Sequence, residues 1–313
     1  MPKKIIHLLS VPFTGLGLWS GFRGNRWLKN RIQIFKQFVI PSLQNQINTN
    51  FVLWISWRRE EKHNLYVKEF IEYLKGIKDF KTIHTFRGIT FLDDKYPDDI
   101  ARDRLLTSLH GTMGALINEI DECDYVYVTL QPSDDLYHRK AIEAIQLFFI
   151  QYPEHQAIGF EKGYICDYTT KEIAEYNPNT NPPFYTIKFT REIFIDPLKH
   201  AEYTSLKHDS GKYKKGFPLP SHEYLRDVFG DKYATIIERG FLVGVHGENI
   251  STYFNHPFRG EKVSPEILED FGIASVSNLK IKWSLRKWIV RKLPHRIRRK
   301  LRYWSDEKKW ILK

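Results

Sequence analysis

Four short apolar runs, each rich in β-branched and aromatic residues, divide the first part of the chain: Lys4–Val11, Phe51–Trp57, Phe80–Phe86 and Tyr125–Leu130. Stretches with helical spacing lie between them. Trp27–Gln46 places Ile32, Phe35, Phe38 and Val39 on one side, Leu65–Lys75 forms a second such stretch, and Ile100–Ile120 a third. Strand–helix alternation of this kind predicts an α/β fold, a mostly parallel sheet flanked by helices on both faces. Pro41 is expected to kink or divide the first helix. GLGLWSG, after the first run, is not the dinucleotide-binding fingerprint.

The fourth run carries the chemistry. Tyr125–Leu130 reads as a buried central strand, Pro132 stops it, and Ser133-Asp134-Asp135 follows. Ligands of open α/β sheets bind beyond the carboxyl ends of the strands. Adjacent carboxylates repel one another and are most comfortable around a hard cation, Mg²⁺ or Mn²⁺. The same residues also read as a polar turn with an Asp helix cap.

After that point the elements become shorter. Tyr137–Phe149 is expected to be helical, and Ala157–Phe160, Tyr164–Tyr168 and Tyr185–Thr190 to be strands. Ser221–Phe229 and Lys232–Arg239 read as helices. Phe241–Val245 reads as a last strand leading into His246-Gly247-Glu248-Asn249. Residues 1–279 are expected to form one domain, with about 1–150 as a nucleotide-binding half and 151–279 as an acceptor-binding half; 280–313 form a tail.

Charge supports that division. The net charge is +11, and Lys280–Lys313 holds fourteen Lys or Arg against two acids, leaving the other 279 residues close to neutral. Such a body is not that of a nucleic-acid-binding domain, and the basicity belongs to one appendage. Within it Ile281, Leu285, Trp288, Ile289 and Leu293 recur at helical spacing, as do Ile297, Leu301 and Trp304 after Pro294. Four of the eight tryptophans lie here. A basic, tryptophan-rich amphipathic helix is expected on an anionic membrane surface; packing on the globule and a nucleic-acid arm are the other two readings. The N-terminus reads as a first strand and not as a signal peptide, and no apolar stretch is long enough to span a bilayer. Cys123 and Cys166 allow at most one disulfide, so a reducing compartment is the default.

Taken together, Arg31-Ile32-xx-Phe35, Pro41-Ser42-Leu43-xx-Gln46, an Arg-bearing helix, DYVYVTLQPSDD and HGENIS resemble glycosyltransferases of the GT-A fold, specifically the rhamnosyltransferase-like group. The resemblance covers roughly Lys4 to Thr252. It implies a Rossmann-like sheet and a divalent metal, Mn²⁺ or Mg²⁺, holding the diphosphate of a nucleotide sugar. By that resemblance Asp135 and His246 are metal ligands, Asp134 contacts metal or donor ribose, and Asn249 lies nearby. His246 also reads as a loop histidine bonded to backbone. Arg104, ahead of Arg102, is expected to neutralise the diphosphate or fix the base, although both also fit a solvated helix face. Arg31 is read as structural. Two departures stand out: Pro132 replaces an Asp of the family pattern, and Ser56-Trp57 stand where an acid is common. Trp57 reads either as a base-stacking platform or as core.

The implied reaction is transfer of a sugar from a nucleotide-sugar donor to a saccharide or lipid-linked saccharide, in surface polysaccharide or glycoconjugate synthesis on the cytoplasmic membrane face. Glu161 and Glu223, then Glu192 and Asp227, are candidate general bases. A metal-dependent nucleotide-sugar hydrolase or pyrophosphorylase would share the site. The opposing class is a non-catalytic nucleic-acid- or membrane-binding protein with a degenerate glycosyltransferase body.

Overall fold

The computed structural model describes residues 3–14, 25–88, 107, 110–117, 123–204, 206–207, 213–214, 222–246 and 253–273. Arg102, Arg104, Asn249 and the 280–313 tail, singled out above, lie outside the described residues.

Strands β1 (Ile5–Pro12), β2 (Val52–Arg58), β3 (Lys81–Gly88) and β4 (Tyr125–Leu130) pair in parallel in the order β3-β2-β1-β4. Their apolar runs are buried on both faces. In β4, Val126, Tyr127, Val128 and Thr129 have almost no solvent contact, which is why the run is continuous and does not alternate. Beyond β4 the sheet continues through β9 (Tyr185–Thr190), antiparallel, to β6 (Ala157–Phe160) and β12 (Tyr233–Ile236), making seven strands. Polar groups inside it are satisfied across strands: His7 Nε2 lies 2.6 Å from Thr129 Oγ1, which lies 2.6 Å from Thr186 Oγ1. Burial lowers the His7 pKa to about 3 and keeps the ring neutral.

Strands β10 (Leu206–Lys207) and β11 (Tyr213–Lys214) form an antiparallel pair of their own. A second sheet is built from β5 (Leu136–Tyr137), β7 (Gly163–Asp167), β8 (Ile173–Tyr176), β13 (Phe241–Val245) and β14 (Arg259–Lys262), in the order β14-β8-β7-β13-β5. The acidic turn is the bridge between the sheets: β4 enters it from the first and β5 leaves it in the second.

Three expectations change. Lys232–Arg239 is not a helix, because Tyr233–Ile236 pairs in parallel with β6 as the strand β12; its aromatic and β-branched residues suit a sheet edge. The helix expected from Tyr137 begins at Ala141, because Leu136 and Tyr137 pair with Leu242 and Phe241. Pro41 does not divide the first helical stretch. Helix α1 (Asn25–Ile34) passes into a π turn, Phe35–Val39, and on into α2 (Ile40–Gln44). The Ile40 amide bonds the Phe35 carbonyl, five residues back. Widening the turn there places Pro41 in the first turn of the new segment, where its missing N–H costs least. Of the helix expected at Ile100–Ile120, residues 107 and 110–117 are described, and they are helical.

Candidate functional site

The strand order supplies the location. Successive parallel strands run outward from β1 to β2 to β3, and β4 then returns to the other side of β1. Outside the carboxyl ends of β1 and β4 is the crevice where open α/β sheets place ligands. Gln131–Asp135 lies there.

The turn is held by its own first residue. Gln131 Nε2 donates to the carbonyls of Pro132 at 2.8 Å and Asp135 at 2.9 Å, and the Tyr137 hydroxyl donates to the Leu130 carbonyl at 2.7 Å. Ser42 of α2 and Gln46 just beyond it clamp the exit. Ser42 Oγ donates to the Tyr137 carbonyl at 2.8 Å, and Gln46 Nε2 to the His138 carbonyl at 3.0 Å.

Asp134 and Asp135 then diverge. The Asp134 carboxylate ion-pairs with Arg31 of α1 and accepts from His246 Nε2 at 2.8 Å, both on Oδ2. Burial pushes its pKa up, but the Arg31 guanidinium and the His246 hydrogen bond outweigh burial and hold it well below the usual carboxylate range. Asp135 turns into the protein, where its Oδ1 accepts from the Gly244 amide at 2.8 Å. Burial, then the charge on Asp134, raise its pKa well above the ordinary value, against the Gly244 hydrogen bond and Arg31. The pair therefore titrates as a unit, with negative charge favoured on Asp134 and the proton favoured on Asp135.

Around this pair the packing is close. The Tyr168 hydroxyl donates to the Asp134 carbonyl at 2.9 Å, and the Tyr168 ring stacks on Phe38 from the π turn. A Cβ on Gly244 would collide with the Asp134 carbonyl and the Tyr168 ring, so glycine is required by proximity. Arg31 also lies over the Trp27 ring, 5.5 Å from its centroid.

As arranged, these residues do not fit the divalent cation expected from the resemblance. An ionised carboxylate can only accept, so His246 Nε2 carries the proton and offers no lone pair. Asp134 Oδ2 already bears a guanidinium, and Asp135 is turned to a backbone amide. Among the described residues no group of three or more His, Cys, Asp or Glu could hold a metal. In this arrangement His246 partners Asp134 and Asp135 turns to the Gly244 amide, so the two are not set toward a common point.

The other expected residues fall in different places. Trp57 is fully buried, with Phe13 at 4.7 Å centroid separation and its Nε1 donating to His84 Nδ1 at 3.2 Å; it is core and offers no face to a base. Glu161, exposed, directly follows β6, whose carboxyl end shares an edge with that of β4. Glu223 and Asp227 are exposed on short helical turns. Glu192 follows β9, which runs the other way, and pairs with Lys199 at the opposite edge.

One acid was missed. Glu61 is 2 % exposed beyond the end of β2, accepts from Thr14 Oγ1 and lies 3.6 Å from Arg58 Nε. Burial raises its pKa against the Thr14 hydrogen bond and Arg58. The run Arg58-Arg59-Glu60-Glu61 signals a charged loop, but nothing in it singles out which acid turns inward.

No protein-family model matches the chain, and no curated protein matches it. Among solved structures the chain is similar to TarS 1-349 of S. aureus, at 12% identity and TM-score 0.37, covering 91% of this chain and 78% of that one. It is also similar to a nucleotide-diphospho-sugar transferase, so described on a provisional basis, from Desulfovibrio desulfuricans G20. Identity there is 11% and TM-score 0.34, over 78% of this chain and 82% of the other. Mannose-6-phosphate isomerase from Helicobacter pylori matches at 15% identity and TM-score 0.31, over 77% and 97%. Likeness at this level fixes neither family nor activity.

Proposed function

We propose that the chain is a glycosyltransferase that moves a sugar from a nucleotide-sugar donor to a saccharide or lipid-linked saccharide. The observation that carries this reading is the buried Arg31–Asp134–His246 cluster at the carboxyl ends of β1 and β4. A diphosphate leaving group needs fixed positive charge and N–H donors in a site shielded from water, and the Arg31 guanidinium, with its five N–H donors, supplies both. An acceptor hydroxyl attacks the anomeric carbon as the bond to the diphosphate oxygen breaks. The leaving electrons go to the nucleoside diphosphate, and the hydroxyl proton goes to a carboxylate. Glu161 is the base this reading favours, supported by its position on the same sheet edge as the acidic turn; Glu223 is the alternative.

Peripheral attachment to the cytoplasmic membrane face through 280–313 belongs to the same proposal, because lipid-linked acceptors are found there. No helix among the described residues is long and apolar enough to cross a membrane.

Incubation with a panel of nucleotide sugars and membrane-extracted acceptors should release nucleoside diphosphate together with a glycosylated product, and Asp134→Ala should abolish both. Absence of product, together with no thermal stabilisation by any nucleoside diphosphate with or without Mn²⁺, would leave the non-catalytic reading in its place. Flotation with anionic liposomes tests the tail: equal flotation by a chain ending at Leu279 overturns that attachment.

A further inference from the structure

We propose that Arg31 is the resident cation of this site, and that its guanidinium binds the donor diphosphate without a divalent metal. The inference rests on the donor reading above and specifies how that donor is held.

Three features carry it. First, Arg31 is built in: it is 6 % exposed, projects from a helix interior and pairs with Asp134. A surface arginine would sample many rotamers, whereas this one is fixed by the carboxylate and by the Trp27 ring. Second, the helix bearing it is locked to the acidic turn at a second point. The π turn carries Phe38 onto Tyr168, and Tyr168 donates to the Asp134 carbonyl. Moving Arg31 off Asp134 to admit a metal would work against that lock. Third, one oxygen of each acid is already engaged. Asp134 Oδ2 receives Arg31 and His246, and Asp135 Oδ1 receives the Gly244 amide. A divalent ion would have to displace a guanidinium from one carboxylate and would meet its positive charge in doing so. Arginine carries five N–H donors in a planar fork, so pairing with one carboxylate oxygen leaves donors for phosphate.

The test uses the full chain and binding, not turnover. Titration calorimetry with UDP, GDP, ADP, CDP and dTDP is run in excess EDTA and again in millimolar Mn²⁺. At least one nucleotide should bind in EDTA with a Kd within about threefold of that in Mn²⁺. Mn²⁺ alone should leave its electron paramagnetic resonance signal unbroadened by the protein. Arg31→Gln should weaken nucleotide binding at least about tenfold, and Arg31→Lys should recover part of it. Should Arg31→Gln fail to fold, the wild-type comparison and the Mn²⁺ spectrum still decide. Binding that requires Mn²⁺, or a protein-bound Mn²⁺ spectrum, overturns the resident-cation assignment and leaves the glycosyltransferase reading standing. No binding under either condition overturns both.

Discussion

Phe38 lies face to face on Tyr168, with ring centroids 3.8 Å apart and planes 5° from parallel. Tyr168 passes that contact to the acidic turn by donating to the Asp134 carbonyl at 2.9 Å. A helical irregularity in the first part of the chain thus sets the position of an acid about a hundred residues later.

The two halves of this link separate on mutation. Phe38→Ala opens a cavity under the turn and should cost about 3–5 kcal/mol. Tyr168→Phe keeps the stack but leaves a buried carbonyl without its donor, costing about 1–2 kcal/mol. Urea unfolding at neutral pH measures both. A Tyr168→Phe cost as large as that of Phe38→Ala would show that the hydroxyl, and not the stack, holds the turn.

Asp134 and Asp135 should respond oppositely to loss of charge. Asp134 has a depressed folded pKa, so its contribution is present above the unfolded value near 3.8 and is lost as pH falls through the folded one. Asp134→Asn strands Arg31 without its counter-charge and should cost about 3–5 kcal/mol at about pH 7. Asp135 has a raised folded pKa, so it opposes folding increasingly as pH rises above its unfolded value toward the folded one. Asp135→Asn keeps an acceptor for Gly244 and should be neutral or stabilising at about pH 7, with the effect shrinking toward about pH 4. Denaturant midpoints at the two pH values decide. A large loss from Asp135→Asn at neutral pH would contradict the proton placement.

The opposite behaviour of these neighbours shows where sequence reading stops. Strands long enough to display their period were legible: Tyr125–Leu130 and Tyr185–Thr190 occur at their expected bounds, and Ile5–Pro12 within one residue of its. Leu136–Tyr137 has two residues and no period to read, and Tyr233–Ile236 is a strand only because β6 lies beside it. Asp134, Asp135 and His246 come together as the sequence reading grouped them. Their division of labour was not legible, because it depends on Arg31 and on a Gly244 amide 109 residues further along.

Gly244→Ala tests the close approach of β13 to the acidic turn. Its added methyl would meet the Asp134 carbonyl and the Tyr168 ring, neither of which is the free end of a flexible chain. The expected loss is about 2–3 kcal/mol, in the range of core overpacking. Nucleoside diphosphate binding should weaken with it, because the Asp135 acceptor and the Tyr168 donor both move. A variant as stable as wild type that binds normally would mean that the turn has slack the packing does not suggest.

Glu61→Gln makes the sharpest pH test outside the acidic pair. The Glu61 carboxyl is buried, and its folded pKa is raised above the unfolded value near 4.5. As pH rises past that value the unfolded chain releases its proton while the folded chain still holds one, so stability falls until the folded pKa is passed and then levels off. Glutamine removes the titration and keeps an oxygen for Thr14 Oγ1. Its Tm should therefore exceed that of wild type by about 2–4 °C at about pH 8, the scale of about 1 kcal/mol in a chain of this size. The two should converge at about pH 4, where the wild-type acid is protonated in both states. If glutamine instead lowers Tm at about pH 8, the Arg58 contact, 3.6 Å from Glu61, outweighs burial and Glu61 folds as an ion.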